Sequence, residues 1–379
     1  MDKGKYLSVS AADLWGKIKK KLFSAARWTS AIFGACFIVF GLLALAESGS
    51  PFFYYAVAAA SPGSLLEVWE EKAALLEPHE VLSTAEKPFV QAPETPEPSE
   101  PEPMEKQVPE VPEKDRGKVT EVQYKNKSGG IYIPFGNACI KNCTSLSTEK
   151  ILTVLKEPTS LSLSTDVGDT PQVLLYHTHA TEAFEPCDRG YFDVNESWRS
   201  TEYSENMTAV GDEVAAVLTK NGIGVLHDYT LHDDPGYKGS YQRSAVTVSG
   251  WLSEYPEIEI CLDLHRDAIE PSEREIIKPT AVINGKKAAQ IMIISGCDDG
   301  TMNMPNYFEN LKFAVALADR METLYPGLCR PILFDYRKYN MDLSPGLLLI
   351  EIGSTGNTLE EAKYAAQLFG KALVSLLTE

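Results

Sequence analysis

Positive charge is scarce in this chain of 379 residues, where 35 Lys and Arg stand against 53 Asp and Glu and the formal net charge is −18. Proteins that bind nucleic acids in general present basic surfaces to the phosphate backbone, so the balance excludes a general nucleic-acid binder. The chain also lacks an internal repeat, which argues against a repeat architecture.

The spacing of the cysteines does not indicate a disulfide framework. The seven cysteines are scattered, and only Cys139 and Cys143, in the segment CIKNC, lie close together. These two either pair or pack as small apolar side chains. The spacing permits disulfides without requiring them, and it does not support a Cys–His nucleophile.

Residues 29–46 form an uncharged apolar run near the N-terminus. Eighteen residues at helical rise span about 27 Å, close to the thickness of a bilayer core. Residues 1–27 carry seven Lys and Arg against two Asp and Glu. Because positive flanks stay inside, we expect a cytoplasmic N-terminus at 1–28, a transmembrane helix at 29–46 and the rest outside. The competing interpretation is a cleavable signal peptide, although the run exceeds the usual apolar length.

Residues 47–117 predict a juxtamembrane segment followed by a linker. Eight prolines fall between positions 88 and 112, interleaved with glutamates. Such a composition has too few apolar residues to fold, and proline with like charge keeps the chain extended. The sequence therefore predicts a disordered linker before the folded region.

From residue 118 onward the pattern alternates between strands and helices. Short apolar runs predict strands at 172–176, 224–226, 258–264, 290–295, 332–334 and 347–352. Helical spacing predicts helices at 206–221, 243–254, 307–325 and 358–377. This alternation indicates an α/β fold with a mostly parallel central sheet flanked by helices. We expect a lead-in subdomain at 118–170 and a catalytic domain at 171–379.

Ionisable side chains gather where three predicted strands end. The first strand runs into HTHATE at 177–182, the second into DLHRD at 263–267, and the third contains Glu351 and continues to Asn357. The carboxyl ends of strands line the functional crevice of open α/β sheets, so these groups are expected to converge.

Imidazoles and carboxylates are the ligands of catalytic zinc sites, which use three protein ligands and leave a position for water. We expect His177, His265 and Glu182 to bind the metal and Glu351 to act as the general acid/base. On an extended chain His179 faces the same way as His177, so either one is the ligand while the other orients it or binds substrate.

The remaining polar residues have competing interpretations. Arg266 either forms an ion pair with Asp267 that fixes a turn or takes a catalytic part by binding a substrate carboxylate. Asp267 is a further candidate for metal or substrate binding. Asn357 either belongs to the site or caps a helix together with Glu360, three positions on.

The motifs together resemble a known family. The blocks VLLYHTHATEAF, NMTAVGDEVAAVL followed by GIGVLHDYTLHD, YKGSYQRS, LDLHRDA and EIGSTGNTLEEA occur in this order over residues 130–379. They are similar to the stage II sporulation protein P family of endospore-forming bacteria. The resemblance implies an N-acetylmuramoyl-L-alanine amidase that degrades peptidoglycan during engulfment of the forespore, with endopeptidase activity in some members. It also implies partnership with the sporulation proteins D and M.

The wider zinc amidase group, to which the family looks related, implies a His-Glu-His metal set and a catalytic glutamate. A histidine of HTH matches the first ligand, His265 the third and Glu351 the acid/base. The middle glutamate is Glu182, or else Glu202 or Glu205 before the second motif. The alternative function is a catalytically inactive wall-binding or scaffold protein on the same fold.

Overall fold

The structure is a computed structural model that describes residues 110–161 and 170–378. The predicted anchor at 29–46 and most of the predicted linker lie outside these residues. Within the described part of the chain, no helix combines the length and apolar character needed to cross a membrane.

Strands and helices alternate along the described residues. The strands are β1 (Arg116–Val122), β2 (Tyr132–Phe135), β3 (Ala138–Asn142), β4 (Val173–Tyr176), β5 (Tyr191–Asp193), β6 (Val225–His227), β7 (Ile260–Asp267), β8 (Glu275–Ile283), β9 (Lys286–Ala289), β10 (Ile291–Gly296), β11 (Ile332–Asp335) and β12 (Leu347–Ser354). The helices are α1 (Thr148–Val154), α2 (Met207–Lys220), α3 (Ser240–Glu254), α4 (Tyr307–Leu324) and α5 (Leu359–Thr378). The α/β class is therefore confirmed, and each predicted strand and helix overlaps an observed one.

The strands form two sheets. The larger has eight strands in the order β2-β3-β11-β10-β12-β7-β4-β6. Strand β7, sixth in this order, pairs in parallel with β4 and β12, which brings their carboxyl ends to one edge. The smaller sheet has the order β5-β1-β8-β9, in which β1 pairs antiparallel with β5 and parallel with β8.

The expectation of one mostly parallel sheet is wrong, because both sheets are mixed. In the larger sheet β10 runs antiparallel to β12, and β2 antiparallel to β3. A parallel neighbour requires a crossover that returns the chain to the opposite edge. Between β7 and β10 the chain instead forms the antiparallel pair β8 and β9, so it re-enters the larger sheet at the edge where β7 ended.

The segment predicted as a lead-in subdomain contributes strands to both sheets. Strand β1 lies between β5 and β8, while β3 pairs in parallel with β11. Two of its cysteines lie in or next to β3: Cys139 is buried and Cys143 exposed, and all cysteines of the described residues are free thiols.

Each face of the larger sheet packs against different helices, because successive side chains of a strand point to opposite faces. On one face Cys261 and Leu349 pack with Val248 of α3. On the other face Leu264 packs in the large core that contains Val214 of α2 and residues of α4 and α5. We refer to these as the α3 face and the α2 face.

Candidate metal centre and active site

Strand alternation places three of the ionisable groups on the α3 face. Asp263 and His265 lie two and four positions beyond Cys261 on β7, and Glu351 lies two beyond Leu349 on β12. In the parallel register of β7 and β12, Glu351 stands directly beside His265. The fold of these two strands is therefore sufficient to bring the three side chains together.

A turn separates the two histidines of HTH. His177 continues the alternation of β4 onto the α2 face, where its Nδ1 donates to the carbonyl oxygen of Leu264 at 3.0 Å. The chain then turns at residues 178–181 and carries His179 to the α3 face, where its ring stacks on Tyr237 at 4.4 Å between centroids. The expectation that both histidines face the same way is wrong, because the extended chain ends at Tyr176.

The structure brings His179, Glu182 and His265 into one buried cluster. Nδ1 of His179 lies 3.5 Å from Oε1 of Glu182, and Nδ1 of His265 lies 3.6 Å from Oε2 of the same carboxylate. One ligand atom from each residue lies within 4.8 Å of the others. The geometry therefore selects His179, and not His177, as the partner of Glu182 and His265.

Groups outside the cluster orient its two rings. Nε2 of His265 lies 2.8 Å from Oδ1 of Asp263, and Nε2 of His179 lies 3.1 Å from the hydroxyl of Ser240. Outer partners of this kind fix the orientation of metal-binding histidines. Asp263 belongs to the predicted DLHRD cluster, but no role was predicted for it. Its spacing of two residues from His265 on one strand was a usable signal.

The cluster holds strongly perturbed charges. Burial raises the pKa of Glu182, but hydrogen bonds with His179 and His265 and the charge of Arg266 outweigh it and hold that pKa well below its usual range. Burial lowers the pKa of His265, but Asp263 and Glu182 outweigh it and raise that pKa well above its usual value. A metal at this position would compete with the proton on His265.

Glu351 has the opposite character. Its Oε2 is buried and accepts no hydrogen bond from the described residues. Burial and the charge of Asp267 raise the pKa of Glu351 to about 8. A carboxyl group with a pKa near neutrality can both hold and release a proton, as a general acid/base requires.

Arg266 is occupied by hydrogen bonds within the protein. Its guanidinium donates to the carbonyl oxygens of Ala183 and Trp198, each at 3.0 Å, and to the hydroxyl of Thr355 at 3.1 Å. Its backbone N–H donates to Oε2 of Glu182 at 3.1 Å. The side chain therefore fixes the loop that carries Glu182.

The predicted ion pair between Arg266 and Asp267 is wrong. Neighbouring residues of a strand point to opposite faces, and Asp267 instead pairs with Nη1 of Arg330 at 2.9 Å. Asp267 lies close enough to Glu351 to raise its pKa.

Asn357 lies within the domain interior. Its Oδ1 accepts a hydrogen bond from the backbone of Ser354 at 3.0 Å, and its Nδ2 donates to Glu361 at 3.0 Å. The backbone N–H of Thr358 donates to Glu361, and that of Glu361 to the hydroxyl of Thr358. This reciprocal pair caps α5 one residue later than the predicted pair of Asn357 and Glu360.

Glu202 and Glu205 are exposed in the loop before α2, and Ser200 donates to Glu205 at 3.3 Å. Of the three glutamates considered for the middle ligand, Glu182 is the one that the fold places in the cluster.

Comparison with known proteins identifies the family. The model of the stage II sporulation protein P family matches residues 69–374. The chain belongs to this family. Stage II sporulation protein P of Bacillus subtilis (strain 168) is 32% identical over 210 residues, which are 52% of this chain and 49% of that protein. The chain thus spans about half the length of this curated relative.

Two solved amidase structures show a weak similarity to this chain. The N-acetylmuramoyl-L-alanine amidase AmiC2 of Nostoc punctiforme is 11% identical, with a TM-score of 0.33 over 55% of this chain and 97% of that chain. The CwlD amidase of Clostridioides difficile, in complex with the GerS lipoprotein, is 9% identical, with a TM-score of 0.33 over 55% and 98%. These values are low, and family membership rests on the sequence match.

Proposed function

We propose that this chain is a metal-dependent peptidoglycan hydrolase of the N-acetylmuramoyl-L-alanine amidase type. The observation that carries the proposal is the buried cluster of His179, Glu182 and His265 with Glu351 beside it on the same face. Membership of the sporulation protein P family supports a role in sporulation.

The cluster fits a divalent cation, and zinc best. Two imidazole nitrogens and one carboxylate are a ligand set of catalytic zinc sites, in which a fourth position stays open. The Nδ1 atoms of both histidines point towards Glu182, while their Nε2 atoms have other partners. Bound there, zinc would supply Lewis acidity for the scissile carbonyl and for a water molecule.

Glu351 would transfer the proton during hydrolysis. Hydrolysis joins the water oxygen to the carbonyl carbon of the lactyl group and breaks the bond from that carbon to the nitrogen of L-alanine. Glu351 takes a proton from the water and delivers it to the departing amine, so its carboxyl ends in its starting state. Arg266 and Asp263 keep Glu182 and His265 in position.

The same proposal covers location and partners. Residues 29–46 would anchor the chain with its N-terminus in the cytoplasm and its folded domain outside the membrane. The substrate would be the peptidoglycan degraded during engulfment, with sporulation proteins D and M as partners. The charge pattern of the N-terminal residues and the family membership support this extension.

The test uses the full chain in detergent, loaded with zinc and incubated with purified peptidoglycan. We expect the wild type to release stem peptides with free L-alanine amino termini, whereas Glu351→Gln and His265→Ala release none. His265→Ala should also lose its bound metal, and Glu351→Gln should retain it.

Glu257→Gln is the control, because this carboxylate is exposed and lies outside the cluster. It should behave as the wild type. Equal wall binding by all variants, with no release and no stoichiometric metal, would establish the scaffold alternative. The assay is repeated on glycan strands nicked by a transglycosylase, so that dependence on a partner is not mistaken for inactivity.

A further inference from the structure

A cavity of about 400 Å³ opens between the start of α3 and the loop before β12. Its volume is within the range of small-molecule sites. Residues that line it include Tyr241, Gln242, Lys338, Tyr339, Asn340 and Asp342.

The aromatic wall of this cavity is continuous with the metal cluster. The ring of Tyr241 lies nearly parallel to that of His265, with an interplanar angle of 9° and 6.5 Å between centroids. Tyr339 stacks on Tyr241 at 5.1 Å and 24°. Tyr241 thus lines the cavity and neighbours His265, so a ligand in the cavity would lie on the flank of the cluster.

The residues of this aromatic wall are held by hydrogen bonds, and two of them have a strained backbone. Tyr339 and Asn340 have φ values of 43° and 58°, in the left-handed region that residues other than glycine avoid. Asn340 donates to the carbonyl oxygen of Tyr241 and to the hydroxyl of Ser244, both at 3.0 Å. Arg337 donates to the hydroxyl of Tyr339 at 2.6 Å. These bonds fix the tyrosine rings before any ligand arrives.

The chemistry of the lining favours a sugar over an acidic peptide. Lys338, the cation of the lining, already pairs with Asp342 at 2.9 Å, so it is not available for a carboxylate. Aromatic faces with amide side chains beside them match a pyranose ring, which presents an apolar C–H face and a polar rim.

We propose that this cavity binds a saccharide ring of the glycan strand, and that the ring of Tyr339, with Tyr241 packed against it, is the stacking surface. The inference rests on the proposed function and deepens it, because it assigns the glycan side of the scissile amide to this flank of the cluster.

The test measures binding without turnover. The full chain in detergent, with EDTA present, is titrated calorimetrically with peptide-free strands of alternating N-acetylglucosamine and N-acetylmuramic acid. Tyr339→Ala should weaken binding about tenfold, and Tyr339→Phe should stay within about threefold because it keeps the ring face.

A second pair of variants leaves the strained loop intact. Ala245 lines the cavity from α3, and its neighbour Val246 is 73% exposed. Ala245→Phe should fill the cavity and weaken binding at least tenfold, whereas Val246→Phe should bind as the wild type.

Two results would overturn the proposal: no glycan binding by the wild type, or unchanged binding by Tyr339→Ala and Ala245→Phe. Because EDTA removes any contribution of metal and turnover, the binding result stands apart from the cleavage assay. If cleavage is also observed, Tyr339→Ala should raise KM about tenfold and leave kcat within about threefold.

Discussion

The two faces of the larger sheet place histidine in opposite environments. On the α2 face, His177 is fully buried, and burial together with neighbouring His227 lowers its pKa to about 3. Nε2 of His177 lies 2.8 Å from Nε2 of His227, whose Nδ1 contacts Asp212 at 3.1 Å. On the α3 face, His265 lies between two buried carboxylates that raise its pKa.

The number of carboxylates in contact with each histidine explains why the pKa of His177 is lowered and that of His265 is raised. His177 contacts a backbone carbonyl and another imidazole, which keep it neutral and part of the core. His179 and His265 share Glu182, and His265 has Asp263 behind it. A dication is stabilised where fixed negative charge accompanies neutral nitrogen donors. Among the described residues, the buried cluster of this kind lies on the α3 face.

Removing one histidine from each face tests most directly which face binds the metal. His179→Ala should lower zinc affinity and amidase activity by more than about a hundredfold, because it deletes a ligand. His177→Ala should retain stoichiometric zinc and show its effect as a lower melting temperature. Metal analysis and thermal denaturation measure the two outcomes, and equal metal loss in both variants would refute the assignment.

The second prediction concerns the outer partner of His265. Asp263→Asn keeps the volume of the side chain and removes its charge. We expect zinc affinity to fall about 10- to 100-fold, as for other outer-shell changes. Competition with a fluorescent chelator measures this. Asp267→Asn, at the end of the same strand, is the matched control and should change affinity less than about threefold.

The third prediction uses the pKa of Glu351. In the folded state it is raised from 4.5 to about 8, so between these values the unfolded chain loses this proton first. The contribution of Glu351 to the free energy of unfolding is therefore present below about pH 4.5 and lost as the pH rises towards 8. The slope is at most about 1.4 kcal/mol per pH unit.

Urea denaturation of metal-free protein between pH 5 and 8 checks this slope. The Glu351 contribution is the difference between the wild-type and Glu351→Gln profiles, because His177 and His265 add pH dependences of their own in this range. That difference should fall as the pH rises. A wild type and a variant with parallel profiles would show that Glu351 is ionised throughout.

The fourth prediction has the opposite sign to the third and a similar size. The pKa of His177 is lowered from 6.5 to about 3 in the folded state, so below pH 6.5 the unfolded chain takes up the proton first. This contribution to stability is present above pH 6.5 and is lost as the pH falls towards 3. His177→Gln should flatten the acidic limb of the profile relative to the wild type. An unchanged limb would assign it to other groups.

Local patterns predicted the elements of the larger sheet well. The runs VLLY and LLLIEI are apolar on both faces, as buried parallel strands require, and they form β4 and β12. The strand-end position of His265 and the cost of burying Glu351 were also readable from the sequence, and they pointed to the correct edge of the sheet.

The sequence predicted neither the smaller sheet nor which histidine of HTH joins the cluster. Strand β1 pairs with β8 through Lys118 and Glu275, which are separated by 157 residues, and β8 contains a proline and the buried Lys278. No local periodicity reports such a pairing. The choice between His177 and His179 depends on where β4 ends, and strand ends are the least certain part of a sequence-based prediction.

The central place of β1 in the smaller sheet has a mechanical consequence. It is the first strand after the segment predicted to connect the domain to the membrane, and it is hydrogen-bonded on both sides, to β5 and β8. Tension applied at residue 110 would load both ladders along the strand, so their bonds would have to shear together and not open one at a time. Under the proposed anchoring, this pairing would make the first strand resist extraction when the linker is pulled.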